Sequence, residues 1–422
     1  MKLNLNVRGM RDFYPELNTK LNHIFKVWRE TAISYGYEEY EGPMIETLDL
    51  YKLKSGEDIV KQLYNFTDKG GRELALRPEM TPTLARMVSK VYNEVQKPIK
   101  WFSIPRCLRY EKPQKGRLRE FYQLNIDIIG EESELADAEV IAVAIDSLVN
   151  LGLNEKDFVV KVNNRDFVSS FFSKFNIDEE VTFRIYKIID NARKVPKDVT
   201  EASINELKLN DTQKKAVYDY LSIRSLDDEI FKSEKSDGAL SLVNLFSILG
   251  KMELGTYCEF DPSIVRGLDY YTGSVFEIYD RSERMRAICG GGRYNRLLQE
   301  FLGVQVPGCG FGMGDVVLGE ILESKGLLPE YKKKVDYYLV RITDDELELM
   351  LKVARSLRKR GFIVDYSYKL SPVKKQMARA SRLNAEYAVI FGPDEVKTGK
   401  VKVKNLETGE EKVENIDSYY DI

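Results

Sequence analysis

The sequence predicts a multidomain protein of mixed α+β and α/β class, in which a glycine-rich β core is interrupted by a helical insertion and followed by a small α/β domain. Three observations predict it. Strand-like segments bounded by turns fill the N-terminal third and resume near Tyr257. Between them, residues 170–250 read as helices rich in Lys, Asp, Asn and Ser, with no glycine cluster. After Lys332-Lys333-Lys334, which reads as a linker, strands and helices alternate. The boundaries that follow are 1–169 and 251–328 for the two parts of the core, 170–250 for the insertion and 333–422 for the last domain.

Each element has a local reason. Leu17, Leu21, Ile24, Phe25, Trp28, Ala32 and Tyr35 recur at helical spacing, so 16–35 is an amphipathic helix ended by Gly36. Tyr37–Ile45 reads as a strand meeting a bend at Gly42-Pro43, and Leu74–Glu79 as a short strand. Thr81 opens a helix to about Val95, with Pro82 in the first turn, where a missing N–H costs little. Leu135, Ala138, Ile141, Ile145 and Leu148 form one apolar face of a helix over 134–151, with Gly152 beyond its end. In the tail, Val335–Ile342, Ile363–Tyr368 and Tyr387–Gly392 read as strands, and Lys400–Val413 as a hairpin.

Composition narrows function. The chain has 422 residues, 43% of them hydrophobic, enough for two or three packed domains. With 64 basic and 67 acidic side chains the net charge is −3, so any nucleic-acid surface must be local. Cys107, Cys258, Cys289 and Cys309 are scattered without a Cys-x-x-Cys pair, which implies neither a zinc site nor a disulfide framework and fits a cytoplasmic protein. The N-terminus lacks the apolar core of a signal peptide, and no apolar run is long enough for a membrane helix. His23 is the only histidine and falls in a helical pattern, so histidine acid–base chemistry and histidine-ligated metal are close to excluded; no metal ligand set is expected.

The stretch Pro105–Asp127 reads as strand, basic loop, strand. Arg106 and Arg109 precede the turn; Lys112, Lys115, Arg117 and Arg119 lie on or just after it, with Pro113 and Gly116 at the bends. Several cations aimed at one spot, beside Glu111, Gln123 and Asp127, suit a polyphosphate next to a small polar substrate, because guanidinium forks match phosphate oxygens in pairs. A solvated hairpin explains the loop equally well on its own. A second cluster decides between them: Arg266-Gly267-Leu268-Asp269-Tyr270-Tyr271-Thr272-Gly273, then Cys289-Gly290-Gly291-Gly292-Arg293-Tyr294, then Gly308-Cys309-Gly310-Phe311-Gly312-Met313-Gly314. Consecutive and alternating glycines bare a strand face, as a flat ligand lying on the sheet would require.

These segments carry a resemblance to class II aminoacyl-tRNA synthetases, and specifically to the histidyl-tRNA synthetase family. Arg109–Arg117 is similar to the second class II motif in its histidine-specific form. Val265–Gly273 and Ala287–Tyr294 resemble the two segments peculiar to histidyl enzymes, and Leu76–Thr81 and the Gly42-Pro43 bend also fit. The resemblance implies an antiparallel-sheet catalytic core, a C-terminal α/β anticodon-binding domain, and a homodimer formed around Gly42-Pro43. It implies L-histidine, ATP with Mg2+, and tRNA(His) as substrates and partners.

Residue roles follow from the same resemblance. Arg109 and Arg266 would be the catalytic pair on the α-phosphate. Glu79, Thr81 and Gln123 would hold the α-ammonium; Asp127 and Tyr271 would address the imidazole, with Tyr270 and Tyr294 lining the site. Glu111, Arg117 and Phe121 would join Arg109 and Arg266 around ATP, Phe121 stacking on adenine. Gln114, Lys115 and Arg119 would meet the tRNA acceptor end, and Lys374, Lys375, Arg379 and Arg382 the anticodon arm. One departure stands out: Gly314-Asp315-Val316-Val317 has valine where the third class II motif has arginine, so either another cation, such as Arg117 or Arg293, substitutes or the subfamily handles ATP differently. A class II synthetase for threonine, proline or glycine is one rival reading, opposed by Asp127, the Arg266–Tyr271 pattern and, for threonine, the missing zinc set; the other is a non-catalytic synthetase-like subunit that regulates histidine biosynthesis. Against it stand the Arg266 segment and the C-terminal domain.

Overall fold

The fold is known from a computed structural model that describes residues 6–55, 60, 62–192, 195–266, 270–282 and 285–419. The chain divides into two compact units, Met1–Pro329 and Glu330–Ile422.

Unit 1 begins with α1 (Pro15–Ser34), which buries Leu21, Ile24, Trp28, Thr31 and Ala32 while Leu17 stays exposed. There follow β1 (Glu38–Glu39), β2 (Ile45–Thr47), α2 (Leu48–Ser55), β3 (Asn65–Thr67), β4 (Glu73–Leu76) and α3 (Thr81–Val91). Next come β5 (Ile99–Ser103), β6 (Arg106–Leu108), β7 (Glu120–Ile129), α4 (Glu134–Val149) and β8 (Phe158–Asn164). Six helices then run from α5 to α10: Arg165–Ser173, Glu179–Asn191, Lys197–Glu206, Asp211–Ser222, Glu229–Lys232 and Asp237–Lys251. The unit closes with β9 (Cys258–Phe260), β10 (Ser274–Asp280), β11 (Cys289–Arg293), α11 (Gln299–Leu302), β12 (Gly308–Gly314) and α12 (Asp315–Ser324).

A mixed sheet in the order β1-β5-β7-β12-β11-β10-β8-β9 forms the centre, with β6 also paired to β7; β2-β4-β3 make a small separate sheet. All central pairings between β5 and β8 are antiparallel, while β1 with β5 and β8 with β9 are parallel. Antiparallel sheets can leave one face open, and here that face carries the site.

Helix α4 departs from the one-sided pattern read from sequence. Leu135 is exposed, and burial extends all round the helix through Ala136, Val140, Val143 and Ala144. The cause is two-sided packing: α4 contacts β7, β11 and β12 of the sheet, and also α1 and α10. The helices of 165–251 likewise share the sheet's core, with Phe167, Phe171, Phe172 and Leu242 in one cluster with Phe158, Val160 and Phe276. Asn164 joins the two layers, because its side chain caps α5 by accepting from the N–H groups of Asp166 and Phe167.

Unit 2 is a five-stranded sheet, β14-β13-β15-β16-β17. Its elements are β13 (Val335–Arg341), α13 (Leu347–Lys359), β14 (Val364–Tyr366), α14 (Val373–Arg382), β15 (Ala385–Phe391), α15 (Pro393–Lys397), β16 (Lys400–Asn405) and β17 (Glu411–Asn415). The first three strands are parallel, joined by helices, and the last two add an antiparallel hairpin. Among the described residues no helix is long and apolar enough to cross a membrane.

Candidate active site

The register of the central sheet builds the site. One row of paired residues crosses five strands: Asn125 on β7, Gly312 on β12, Gly290 on β11, Glu277 on β10 and Lys161 on β8. Side chains alternate across a strand, so these positions face the same way. Polar groups flank two glycines, and the sheet is bare in the middle.

The glycines make room for protein side chains as well as for a ligand. A Cβ on Gly290 would lie 2.2 Å from Arg266 Nη1; on Gly312, 2.5 Å from Gln123 Nε2; on Gly310, 2.5 Å from Asp127 Oδ1. No real Cβ tolerates such contacts. A larger residue at Gly290 would displace Arg266, while at Gly310 it would also meet the Ile126 carbonyl at 2.3 Å.

Two cavities open on this floor. The larger, of about 790 Å³, runs past Arg109, Phe121, Arg266, Glu277 and Gly290 to Lys115, Arg117, Arg286 and Val316. The smaller, of about 370 Å³, is walled by Glu79, Thr81, Gln123, Asp127, Tyr270, Tyr271 and Tyr294. Both include Arg109, Glu111, Arg117, Gln123 and Arg266, so the two arginines Arg109 and Arg266 stand where the cavities meet. Strands β6 and β7, read from the sequence as arms of the basic loop, bring Arg109 to this junction.

Arg109 donates Nε to the Pro78 carbonyl at 2.9 Å and lies 5.0 Å over the Phe121 ring, and among the described residues its terminal nitrogens have no hydrogen-bond partner. Arg266 approaches from the other side. It pairs with Glu277 and lies 5.7 Å over the Tyr271 ring, and among the described residues its buried Nε has no hydrogen-bond partner. Burial works against its charge, but Tyr271 and Glu277 outweigh it and raise its pKa. The backbone at Arg266 is left-handed (φ 55°), a conformation that costs a non-glycine residue free energy and must be held by its surroundings.

Arg165 holds it. This buried side chain donates Nε to the Val265 carbonyl (2.8 Å), Nη2 to that of Arg266 (2.6 Å) and Nη1 to that of Tyr271 (2.9 Å). Sequence reasoning missed Arg165, since an arginine opening a helix gives no sign that it grips a loop about a hundred residues later. Lys161, which faces Asp261 at 3.4 Å, and Asn125 were missed for the same reason. Gly267, Leu268 and Asp269 of the second cluster lie outside the described residues.

In the smaller cavity Asp127 is buried and accepts a hydrogen bond from the Tyr294 hydroxyl. Burial pushes its carboxyl up to about 7, against a smaller downward pull from Tyr294. Tyr270, Tyr271 and Tyr294 line the same cavity, with ring centroids 4.7–6.4 Å apart. The result is one buried carboxylate in an aromatic box, suited to an N–H donor on a small flat ring.

On the basic loop, Glu111 pairs with Arg117 and its carbonyl accepts from Arg119 Nε at 3.0 Å, so Glu111 fixes the loop's shape. Arg119 lies 4.6 Å over the Tyr110 ring, and Gln114 Oε1 accepts from Arg286. The expectation that Arg293 would serve the ligand is corrected. Arg293 lines neither cavity; it is buried against Asp137 (2.6 Å) and the carbonyls of Glu131 and Ser133. Asp315 is likewise structural, holding Arg11 at 2.7 Å and the Tyr122 N–H at 2.8 Å.

In unit 2, α14 buries Gln376 and Ala380 against its sheet and exposes Lys374, Lys375, Arg379 and Arg382. Lys375, Arg379 and Arg382 follow helical spacing on one stripe, with Lys374 to its side.

Comparison with known proteins matches this architecture along the chain. The family model described as "Histidyl-tRNA synthetase" matches residues 9–314, and that described as "Anticodon binding domain" matches 336–419. The chain belongs to the histidyl-tRNA synthetase family. A curated protein of Opitutus terrae named histidine–tRNA ligase is 40% identical over 407 residues, covering 95% of this chain and 93% of its own. The chloroplastic/mitochondrial histidine–tRNA ligase of Arabidopsis thaliana is 40% identical over 405 residues, covering 96% and 83%. Among solved structures, histidyl-tRNA synthetase from Nostoc sp. PCC 7120 superimposes with a TM-score of 0.79 at 26% identity, covering 99% of this chain and 98% of that one. The glycine-floored sheet and the two-cavity site are thus features of a histidyl-tRNA synthetase family member, and Val316 lines the larger cavity where the third motif was expected to supply arginine.

Proposed function

We propose that this chain joins L-histidine to the 3′ end of tRNA(His) at the expense of ATP. One observation carries the reading: two cationic side chains, Arg109 and Arg266, stand at the junction of a small pocket walled by tyrosines and a larger cavity lined by several charged side chains. In the first step an oxygen of the histidine carboxylate attacks the α-phosphorus of ATP, and pyrophosphate leaves from the far side. No base is needed, because a carboxylate is already nucleophilic. What the step needs is positive charge on oxygens that gain negative charge, and Arg109 and Arg266 supply it from both sides.

Histidine occupies the smaller pocket in this reading. Glu79, Thr81 and Gln123 hold its ammonium, Asp127 accepts an imidazole N–H, and Tyr271 addresses the other nitrogen. Tyr270 and Tyr294 close the box. Such a pocket leaves buried polar groups unpaired when a wrong side chain enters, a penalty worth roughly 10⁴–10⁵ in discrimination. ATP lies in the larger cavity with adenine on Phe121 and phosphates toward Arg117, with Glu111 fixing the loop. Among the described residues no group of three or more His, Cys, Asp or Glu side chains is placed to hold a metal. Mg2+ would therefore be carried mainly by the phosphates, the usual mode for this ion, and would offset their charge.

In the second step the terminal ribose hydroxyl of tRNA attacks the adenylate carbonyl and AMP leaves. Gln114, Lys115 and Arg119 are placed in this reading on the acceptor end, and the α14 cations on the anticodon arm. The enzyme would act in the cytoplasm as a homodimer formed around Gly42-Pro43. The non-catalytic alternative is not favoured, since curated relatives aligned over nearly the whole chain are named histidine–tRNA ligases. Incubation with radiolabelled histidine, ATP and a tRNA(His) transcript tests the proposal: acid-precipitable label is expected with tRNA(His) and not with other tRNAs, and no charging of tRNA(His) would refute it.

A further inference from the structure

At one end the larger cavity is lined by Lys115, Arg117 and Arg286 on loops and by Val316 and Val317 on α12. Arg117 is paired with Glu111, and α12 presents Val316, Val317 and Glu320, so the helix itself offers no cation. One guanidinium there has no carboxylate partner among the described residues. Arg286, on the β10–β11 connection, is exposed, lines the cavity, and donates Nη2 to the neutral amide oxygen of Gln114 at 2.8 Å. Its backbone is anchored on either side, by Met285 N–H to Asp280 Oδ1 (3.2 Å) and Ile288 N–H to the Ile278 carbonyl (2.7 Å). A bond to a neutral amide at an exposed site is easily exchanged for a stronger, charge-assisted one.

We propose that Arg286 is an ATP-binding residue that leaves Gln114 to engage the β- and γ-phosphates, supplying the outer-phosphate cation that α12 does not. The proposal rests on the reading of the larger cavity as the ATP site. A guanidinium fork can bridge two phosphate oxygens, whereas a lysine ammonium in the same place would offer only a point charge.

Calorimetric binding of ATP and of AMP to the full chain, wild type and Arg286→Ala, tests it, because AMP lacks the outer phosphates. ATP affinity is expected to fall about 10- to 100-fold and AMP affinity to stay within about twofold, as for loss of one charge-assisted contact. In pyrophosphate exchange the KM for ATP should rise by a similar factor while the KM for histidine is unchanged, and Arg286→Lys should recover part of the loss. ATP and AMP affinities that fall together, or an ATP affinity that does not change, would overturn the role. Absence of histidine-dependent exchange in the wild type would instead sink the functional reading, and the ATP–AMP comparison would still judge Arg286.

Discussion

Replacing Gly290 with alanine puts a methyl group where Arg266 now lies. The new Cβ would be 2.2 Å from Nη1 and 2.6 Å from Cζ, whereas ordinary contacts begin at 3.4 Å. The guanidinium must retreat by roughly 1 Å, and a misplacement of that size in a positioning group costs about 10²-fold in rate. Rotation offers little escape, since Arg266 is tied to Glu277 and its backbone is gripped by Arg165. The fold should tolerate the change, because Gly290 does not have a positive φ and the clash is with a side-chain end. Gly290→Ala is thus expected to lower kcat for histidine-dependent pyrophosphate exchange about 100-fold with a thermal midpoint within a few degrees of wild type. Gly319→Ala on α12, where an added Cβ meets nothing within 4 Å, is the control and should keep full rate. A Gly290→Ala enzyme that keeps kcat within about threefold would refute the idea that the glycine floor positions Arg266.

Other consequences are equally specific. Arg266→Ala should abolish adenylate formation while histidine still binds by calorimetry, and unchanged exchange would contradict its role. Arg165→Met should cut exchange about 10- to 100-fold by releasing the strained Arg266 loop, read as loss of kcat with the KM for ATP rising; an unaffected rate would show that the loop holds itself. Burial lifts Asp127 from 3.8 to about 7, so between those values the unfolded chain has lost a proton that the folded chain keeps. Its contribution to stability therefore falls as pH rises from about 4 to about 7 and is flat above. Asp127→Asn should remove that slope, and parallel melting curves for the two proteins between pH 4 and 8 would disprove it. Changing Lys375, Arg379 and Arg382 together to alanine should leave exchange intact, weaken tRNA binding, and reduce the salt dependence of binding by about two to three ion equivalents; an unchanged salt slope would remove α14 from the tRNA surface.

What the sequence revealed and hid has a physical pattern. Local signals were readable: the basic loop between β6 and β7, Pro82 in the first turn of α3, and the glycine runs of β11 and β12 all act within a few residues. The pocket roles of Tyr270, Tyr271, Tyr294 and Asp127 came only from the family resemblance, because nothing local shows that residues so far apart in sequence line one cavity. Sheet register, in contrast, cannot be read from one strand at a time. That Gly290 underlies Arg266, or that Asn125 and Lys161 end the same row, depends on pairings between segments far apart in sequence. Arg165 and Arg293 show the same limit from two directions. Both are buried arginines, yet one grips the Arg266 backbone and the other is held on Asp137. Helix α4 was read as one-sided because its second neighbour, α10, arrives only after about a hundred intervening residues.

The central claim is that the Arg109–Arg266 junction activates histidine on ATP, and histidine-dependent exchange of labelled pyrophosphate into ATP by the wild-type chain tests it most directly. Exchange is expected with histidine and none above background with the other amino acids. Binding of histidine with no exchange, or exchange driven equally by another amino acid, would contradict it.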